Sequence, residues 1–201
     1  MNPQETALIF IEFQNDFCDP RGKLYGVVER EMKRLNTLEH AKTLLDGARR
    51  LGCKIIHCPF SLDKNWVAEH GVTGLLAGLA ADDAFVPGSW GHEIIPALAP
   101  IEGEIVLEGK RTLSAFSHTN LAELLRFGGI KNVIVCGFLS NVCAQATAWS
   151  AYDLGFQTRL IANACASGAE PIQDYVETQI VPMFAGLEGR MTPDEFLASL
   201  Q

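Results

Sequence analysis

Three side chains far apart in the sequence stand where a hydrolytic site would place them. Cys143 follows a β-branched apolar run at 131–136 and the turn Gly137-Phe138-Leu139-Ser140-Asn141-Val142. It immediately precedes a helix-forming segment at 144–154. At a helix start, unpaired N–H groups and the positive end of the helix dipole favour a thiolate. Glu12 closes the apolar run at 6–11, and Lys110 lies just past a short run at 104–108. An ionised thiol is a strong nucleophile. A carboxylate beside it can take its proton, return that proton to a leaving amine and later activate water. An ammonium would hold the carboxylate ionised and favour negative charge as it develops.

For these groups to meet, the intervening elements must deliver them to one edge. Strands are expected at 6–11, 53–58, 104–108, 131–136 and 156–161. A long amphipathic helix is expected over 27–51, closed by Gly52. Further helices fall at 119–127 with Thr119 or Ser117 as cap, at 144–154 and at 171–184. A last short one begins at Thr192 with Pro193 in its first turn. Alternating strands and helices predict one α/β domain over 1–201 with a parallel sheet and right-handed crossovers. Such sheets bind ligands outside the carboxyl ends of their strands, which is where Glu12, Lys110 and Cys143 lie. Residues 61–103 are irregular, with Gly71, Gly74, Gly78, Gly88, Pro87, Pro96 and Pro100 and a short helix near 75–80. A loop this long reads as a wall or lid over a pocket.

Composition narrows the function. The 201 residues are 48% hydrophobic and carry a net charge of −8, which argues against nucleic acid or an anionic membrane as partner. No apolar run reaches the roughly 18 residues of a membrane span, and the N-terminus shows no signal-peptide pattern. Six cysteines without a C-x-x-C pair predict reduced thiols and a cytoplasmic protein. His57, His70, His92 and His118 have no metal-ligand spacing, so neither metal nor other cofactor is expected.

Four blocks in order resemble the isochorismatase-like cysteine hydrolase superfamily, in its amidohydrolase branch. They are Ala7-Leu8-Ile9-Phe10-Ile11-Glu12-Phe13-Gln14-Asn15-Asp16-Phe17, then Val86-Pro87-Gly88-Ser89-Trp90-Gly91, then Lys110-Arg111-Thr112-Leu113-Ser114-Ala115-Phe116, and finally Gly137 to Cys143 with Ala146-Thr147. The resemblance implies a three-layer α-β-α sandwich around a mostly parallel, open, Rossmann-like sheet. It places the family's Asp-Lys-Cys triad on Glu12, Lys110 and Cys143. It also implies a cis Phe138–Leu139 peptide and an oxyanion hole made by the Leu139 and Cys143 N–H groups. A homo-oligomer, dimer or tetramer, is implied as well, with apolar surface around Trp149, Tyr152 and the final helix as a contact. Gln14, Phe17, Trp66, Trp90, Phe116, His118 and Phe138 are the candidates for contacting a small-molecule substrate.

Two departures shape the expectation. Glutamate replaces the family's usual aspartate at position 12, and Asp16 matches a structural acid of the same block. The Asp-x-His metal motif of the nicotinamidases is missing from 58–66, so nicotinamide is not the expected substrate. Cys143 also separates the chain from true isochorismatases, which lack the thiol. The resulting expectation is a cysteine hydrolase that cleaves a C–N bond of a small amide, ureido or carbamoyl compound through a thioester. The rival readings are a regulatory binding protein weakened by Glu12 and a redox sensor centred on Cys143.

Overall fold

Buried residues throughout Thr6–Ile11 form strand β1, at the middle of the molecule. The computed structural model describes residues 1–185 and 191–200. After β1 come a single helical turn α1 (Asn15–Cys18), α2 (Tyr25–Arg34), α3 (Thr37–Leu51) and β2 (Lys54–Cys58). Then follow α4 (Lys64–His70), α5 (Gly74–Ala81), β3 (Ile105–Val106), α6 (Leu121–Phe127), β4 (Asn132–Phe138), α7 (Cys143–Asp153) and β5 (Gln157–Ala166). Helix α8 (Glu170–Tyr175) runs through a π-helical turn, Val176–Ile180, into α9 (Val181–Ala185), and α10 (Pro193–Ala198) follows.

Among the described residues the strands form one five-stranded sheet in the order β3-β2-β1-β4-β5, parallel at every pairing. From β1 the chain moves one way to β2 and β3, and from β4 it moves the other way to β5. Right-handed crossovers in opposite directions put their helices on opposite faces of the sheet. The reversal falls between β1 and β4, and a crevice opens there beyond the strand ends. Glu12 and Cys143 flank that crevice.

The long helix expected over 27–51 is two helices. Asn36 adopts a left-handed conformation (φ 51°) between α2 and α3. Asparagine tolerates this region better than other side chains, and apolar periodicity alone does not reveal such a break. Thr37 then anchors the start of α3 by donating its hydroxyl to Cys165 O at 3.1 Å. The break frees α2 to leave the line of α3, so that Val27 reaches the crevice. Strand β3, Ile105–Val106, is shorter than the expected 104–108: Glu104 N–H is turned back to Ile101 O at 3.1 Å instead of joining the ladder. Strand β5 runs further, to Ala166, past a register shift opposite Val135 and Gly137. Helix α6 starts at Leu121, whose N–H donates to Thr119 Oγ1 at 3.3 Å. The helix expected near 75–80 is α5, whereas α4 went unread although Asp63 caps its start, accepting from Asn65 N and Trp66 N, and Gly71 ends it.

At the β3 edge, Glu104 accepts from Arg49 Nε at 2.7 Å and Nη2 at 3.0 Å, from Ile101 N at 3.1 Å, and pairs with His57 Nε2 at 2.8 Å. Burial opposes ionisation of Glu104. The hydrogen bonds from Arg49, His57 and Ile101 outweigh it and hold the carboxyl at about 2, against an ordinary 4.5. Between those values the unfolded chain binds more protons than the folded one. The stabilisation is therefore whole above about pH 4.5 and drains as pH falls toward 2. Glu104→Gln is expected to lower stability at neutral pH by about 1–3 kcal/mol. It should also flatten the loss of stability on acidification, read as urea midpoints from about pH 7 down to about pH 3.

Candidate active site

Lys110 and Glu12 form an ion pair sealed from solvent, at 0% and 2% exposure. The Lys110 ammonium also donates to Thr112 O at 2.9 Å and lies 4.6 Å above the Phe60 ring. Both contacts suit a desolvated cation. Glu12 sits one residue past β1. Its N–H still reaches Cys58 O at 3.1 Å, as if the ladder with β2 continued. Its φ of 59° then turns the chain out of the sheet. A glutamate held in this region is uncommon and is kept there by its surroundings.

Cys143 is the first residue of α7 and interacts with both members of the pair. Burial pushes its thiol well above the ordinary 9.0, the Glu12 charge adds to this, and Lys110 opposes it. The helix start favours a thiolate, whereas burial beside the Glu12 charge favours the protonated thiol. Burial also raises the Glu12 carboxyl, against the pull of Lys110. The site therefore holds a neutral thiol beside a carboxylate of heightened proton affinity. Among the described residues Cys143 is the only cysteine bordering the crevice. The others are free thiols, with burial raising Cys53 to about 11 and Cys165 to about 12.

The turn before Cys143 is shaped by close packing. Gly137 pairs with Ile11, and a Cβ built on it would come within 2.0 Å of Ile11 O, so only glycine lets β4 end there. The Phe138–Leu139 peptide is cis. Leu139 O accepts from Val142 N at 3.0 Å and from Ala144 N at 3.2 Å. Among the described residues, neither Leu139 N–H nor Cys143 N–H has an acceptor. Sequence reading passed over the residue that fastens this turn. Buried Gln173 of α8 accepts from Ser140 Oγ at 2.6 Å and from Ser167 N at 3.1 Å, and it donates to Ala162 O at 3.1 Å. A second tie joins the Lys110 loop to α7, where Ala115 N donates to Thr147 Oγ1 at 3.0 Å and Ser114 Oγ to Ser150 Oγ at 2.8 Å.

Above these groups opens a hollow of about 480 Å³, mouth included. Glu12 and Cys143 lie at its base, and Phe17, Phe60, Phe85 and Leu139 form part of its wall. Leu24, Val27, Leu75, Leu79, Leu113 and Val142 complete it, none of them singled out from sequence. The i, i+4 spacing of Leu75 and Leu79 in the glycine-rich stretch was the available signal. Of the expected contacts, Phe17 lines the hollow and Phe138 packs behind it, its ring 5.4 Å from that of Phe17.

The others lie elsewhere. Gln14 is buried in backbone bonds, donating to Phe60 O at 3.0 Å and His92 O at 2.8 Å and accepting from Phe60 N at 2.8 Å. Trp66 stacks on His70, Trp90 sits under the Arg21 guanidinium, and Phe116 packs toward Phe156. His118 is exposed, with φ 61°. Asp16 is structural, accepting from Phe85 N at 2.7 Å and Lys23 N at 3.2 Å. Trp149 packs on Phe184 of its own chain, with Tyr152 exposed beside it.

A parallel sheet with a carboxylate and a thiol across its reversal point defines a class of site, and comparison with known proteins gives it a family. The family model for the isochorismatase domain matches residues 6–189, and the chain belongs to that family. It is 30% identical over 171 residues to the uncharacterized isochorismatase family protein YddQ of Bacillus subtilis (strain 168), covering 85% of this chain and 83% of that one. It is 32% identical over 160 residues to the maleamate amidohydrolase of Pseudomonas putida (strain KT2440), covering 79% and 70%. The crystal structure of a cysteine hydrolase from Pseudomonas syringae pv. phaseolicola 1448A shares the fold, with a TM-score of 0.84 at 24% identity over 100% of this chain and 94% of that one.

Gln173→Ala removes the clamp on the nucleophile turn and leaves Ser140 Oγ and Ser167 N–H without their buried acceptor. The expected stability loss is about 1–3 kcal/mol by chemical denaturation. A turn displaced by about 1 Å lowers kcat by up to about 100-fold. Unchanged kcat in the folded variant would show that the clamp does not position the turn.

Proposed function

We propose that the chain is an amidohydrolase working through a thioester on Cys143. The observation that carries this reading is the buried Lys110–Glu12 pair facing the Cys143 thiol beneath the hollow, beside two backbone N–H groups that have no acceptor among the described residues. A substrate carbonyl entering from the mouth meets the sulfur at the start of α7. The thiol proton passes to Glu12 as the S–C bond forms. The negative charge on the former carbonyl oxygen is received by the Leu139 and Cys143 N–H groups. Glu12 returns the proton to the nitrogen as the C–N bond breaks, and ammonia or an amine leaves. Water then gives a proton to Glu12 and attacks the thioester carbonyl. The C–S bond breaks, and the proton on Glu12 restores the thiol.

Lys110 keeps Glu12 ionised in the resting site, where burial alone would neutralise it. Its charge also offsets the negative charge that moves between carboxyl, sulfur and oxygen. Glutamate here reaches the sulfur from a backbone turned out of the sheet at φ 59°. This supports a site rebuilt around the longer side chain. The named activity of the Pseudomonas putida relative supports C–N cleavage as the reaction class.

A panel of small amides, ureido and carbamoyl compounds assayed for ammonia release tests the reading. Intact-mass detection of an acyl adduct should accompany it. Cys143→Ala should abolish both turnover and adduct, and undiminished turnover would refute the thioester. Glu12→Gln should lower kcat/KM by about 10²–10⁴-fold. Glu12→Asp, its carboxylate drawn back by about 1 Å, should lower it by up to about 100-fold. Activity needs Glu12 ionised, and its carboxyl is raised above 4.5. The acid limb of the kcat/KM profile should therefore lie above the ordinary carboxylate range, with rate falling as pH drops through it.

A further inference from the structure

We propose, resting on the amidase reading, that the substrate is an uncharged amide whose acyl group is an apolar chain or ring. Leu75 and Leu79 of α5, with Val27 and Leu113, select for it. Above Glu12 and Cys143 the wall of the hollow is entirely apolar, and among the described residues no arginine, lysine or histidine lines it. The nearest cation, Lys110, is buried and already pairs with Glu12 and Thr112 O. A carboxylate on the acyl group would lose its water there and gain no opposite charge, which is strongly unfavourable.

The rim supplies a second, independent observation. Helix α5 reads Gly74-Leu75-Leu76-Ala77-Gly78-Leu79-Ala80-Ala81, without a single polar side chain, yet none of its residues is buried. Leu75 is 50% exposed, Val27 46% and Leu113 37%, and all three border the mouth. An apolar helix left on the surface calls for something to cover it. Leu75 and Leu79, one turn apart, face the hollow over Cys143, so an acyl chain attached at the reacting carbonyl would lie along them. An acid substrate of the kind named for the Pseudomonas putida relative would find no such complement.

Aldehydes test the acyl side of the site without requiring turnover. The Cys143 thiol adds across the carbonyl: the S–C bond forms and the thiol proton passes to the oxygen. Binding is read as protection of Cys143 from iodoacetamide, followed by peptide mass. From propanal to hexanal, affinity should rise about fourfold per methylene until the hollow is filled. Succinic semialdehyde should bind at least about tenfold more weakly than butanal. Hexanamide should likewise be hydrolysed with higher kcat/KM than acetamide, and succinamate more slowly than butanamide. Leu75→Arg, at a half-exposed position, should flatten the chain-length dependence and favour the acidic compounds, while Leu79→Ala should flatten it without favouring acids. Equal or better binding of succinic semialdehyde, or no dependence on chain length, would overturn the proposal. Chain-length-dependent aldehyde binding without hydrolysis of any amide would sustain the ligand class and remove the amidase reading. Efficient hydrolysis of succinamate would do the reverse.

Discussion

A lysine and a glutamate buried together, far from water, constrain everything around them. Each charge alone would be costly in that position, and the pair persists only because its partners are fixed in place. Glu12 is fixed by the end of β1, where its N–H still bonds to Cys58 O. Lys110 is fixed by Thr112 O and the Phe60 ring, on a loop bound to α7 through Ser114 and Ala115. The same loop thus carries the cation and is tied to the helix that carries the sulfur. Removing either member of the pair would leave the other charge unpaired inside the molecule.

In the proposed mechanism, burial also decides how the thiol is activated. A helix start favours a thiolate, but the effect of a dipole is modest, while desolvation of a nearly sealed sulfur is large. The thiol therefore needs a base, and the carboxyl beside it has its proton affinity raised by the same burial. In the proposed mechanism, the enclosure that disfavours the thiolate at rest is what equips Glu12 to accept its proton when a substrate arrives.

Much of this was legible in the residues. The strands around β1 and β4 were readable because continuous β-branched and aliphatic runs bounded by loops leave little alternative to a buried parallel sheet. Glu12, Lys110 and Cys143 could be placed at one edge because that follows from the strand ends. What could not be read depends on contacts across the chain. The division of α2 from α3 rests on one left-handed asparagine, the shortening of β3 on a backbone turn from Glu104 N–H to Ile101 O, and the hold on the turn before Cys143 on Gln173 in a distant helix. Aromatic residues were overvalued as pocket wall. Trp66, Trp90 and Phe116 have partners of their own, while leucines, two valines and the rings of Phe17, Phe60 and Phe85 line the hollow.

The pairing of Ile11 with Gly137 has a consequence beyond packing. Glu12 and the turn that leads to Cys143, the proposed base and nucleophile, leave adjacent strands joined by backbone hydrogen bonds, so the spacing of the sheet helps set the gap between them. Leu75 and Leu79, which line the hollow and are proposed to meet the acyl group, come from a helix outside that sheet, between β2 and β3. Reactivity and preference are thus inherited from separable stretches of chain, and one could be exchanged for a new variety while the other stays as it is.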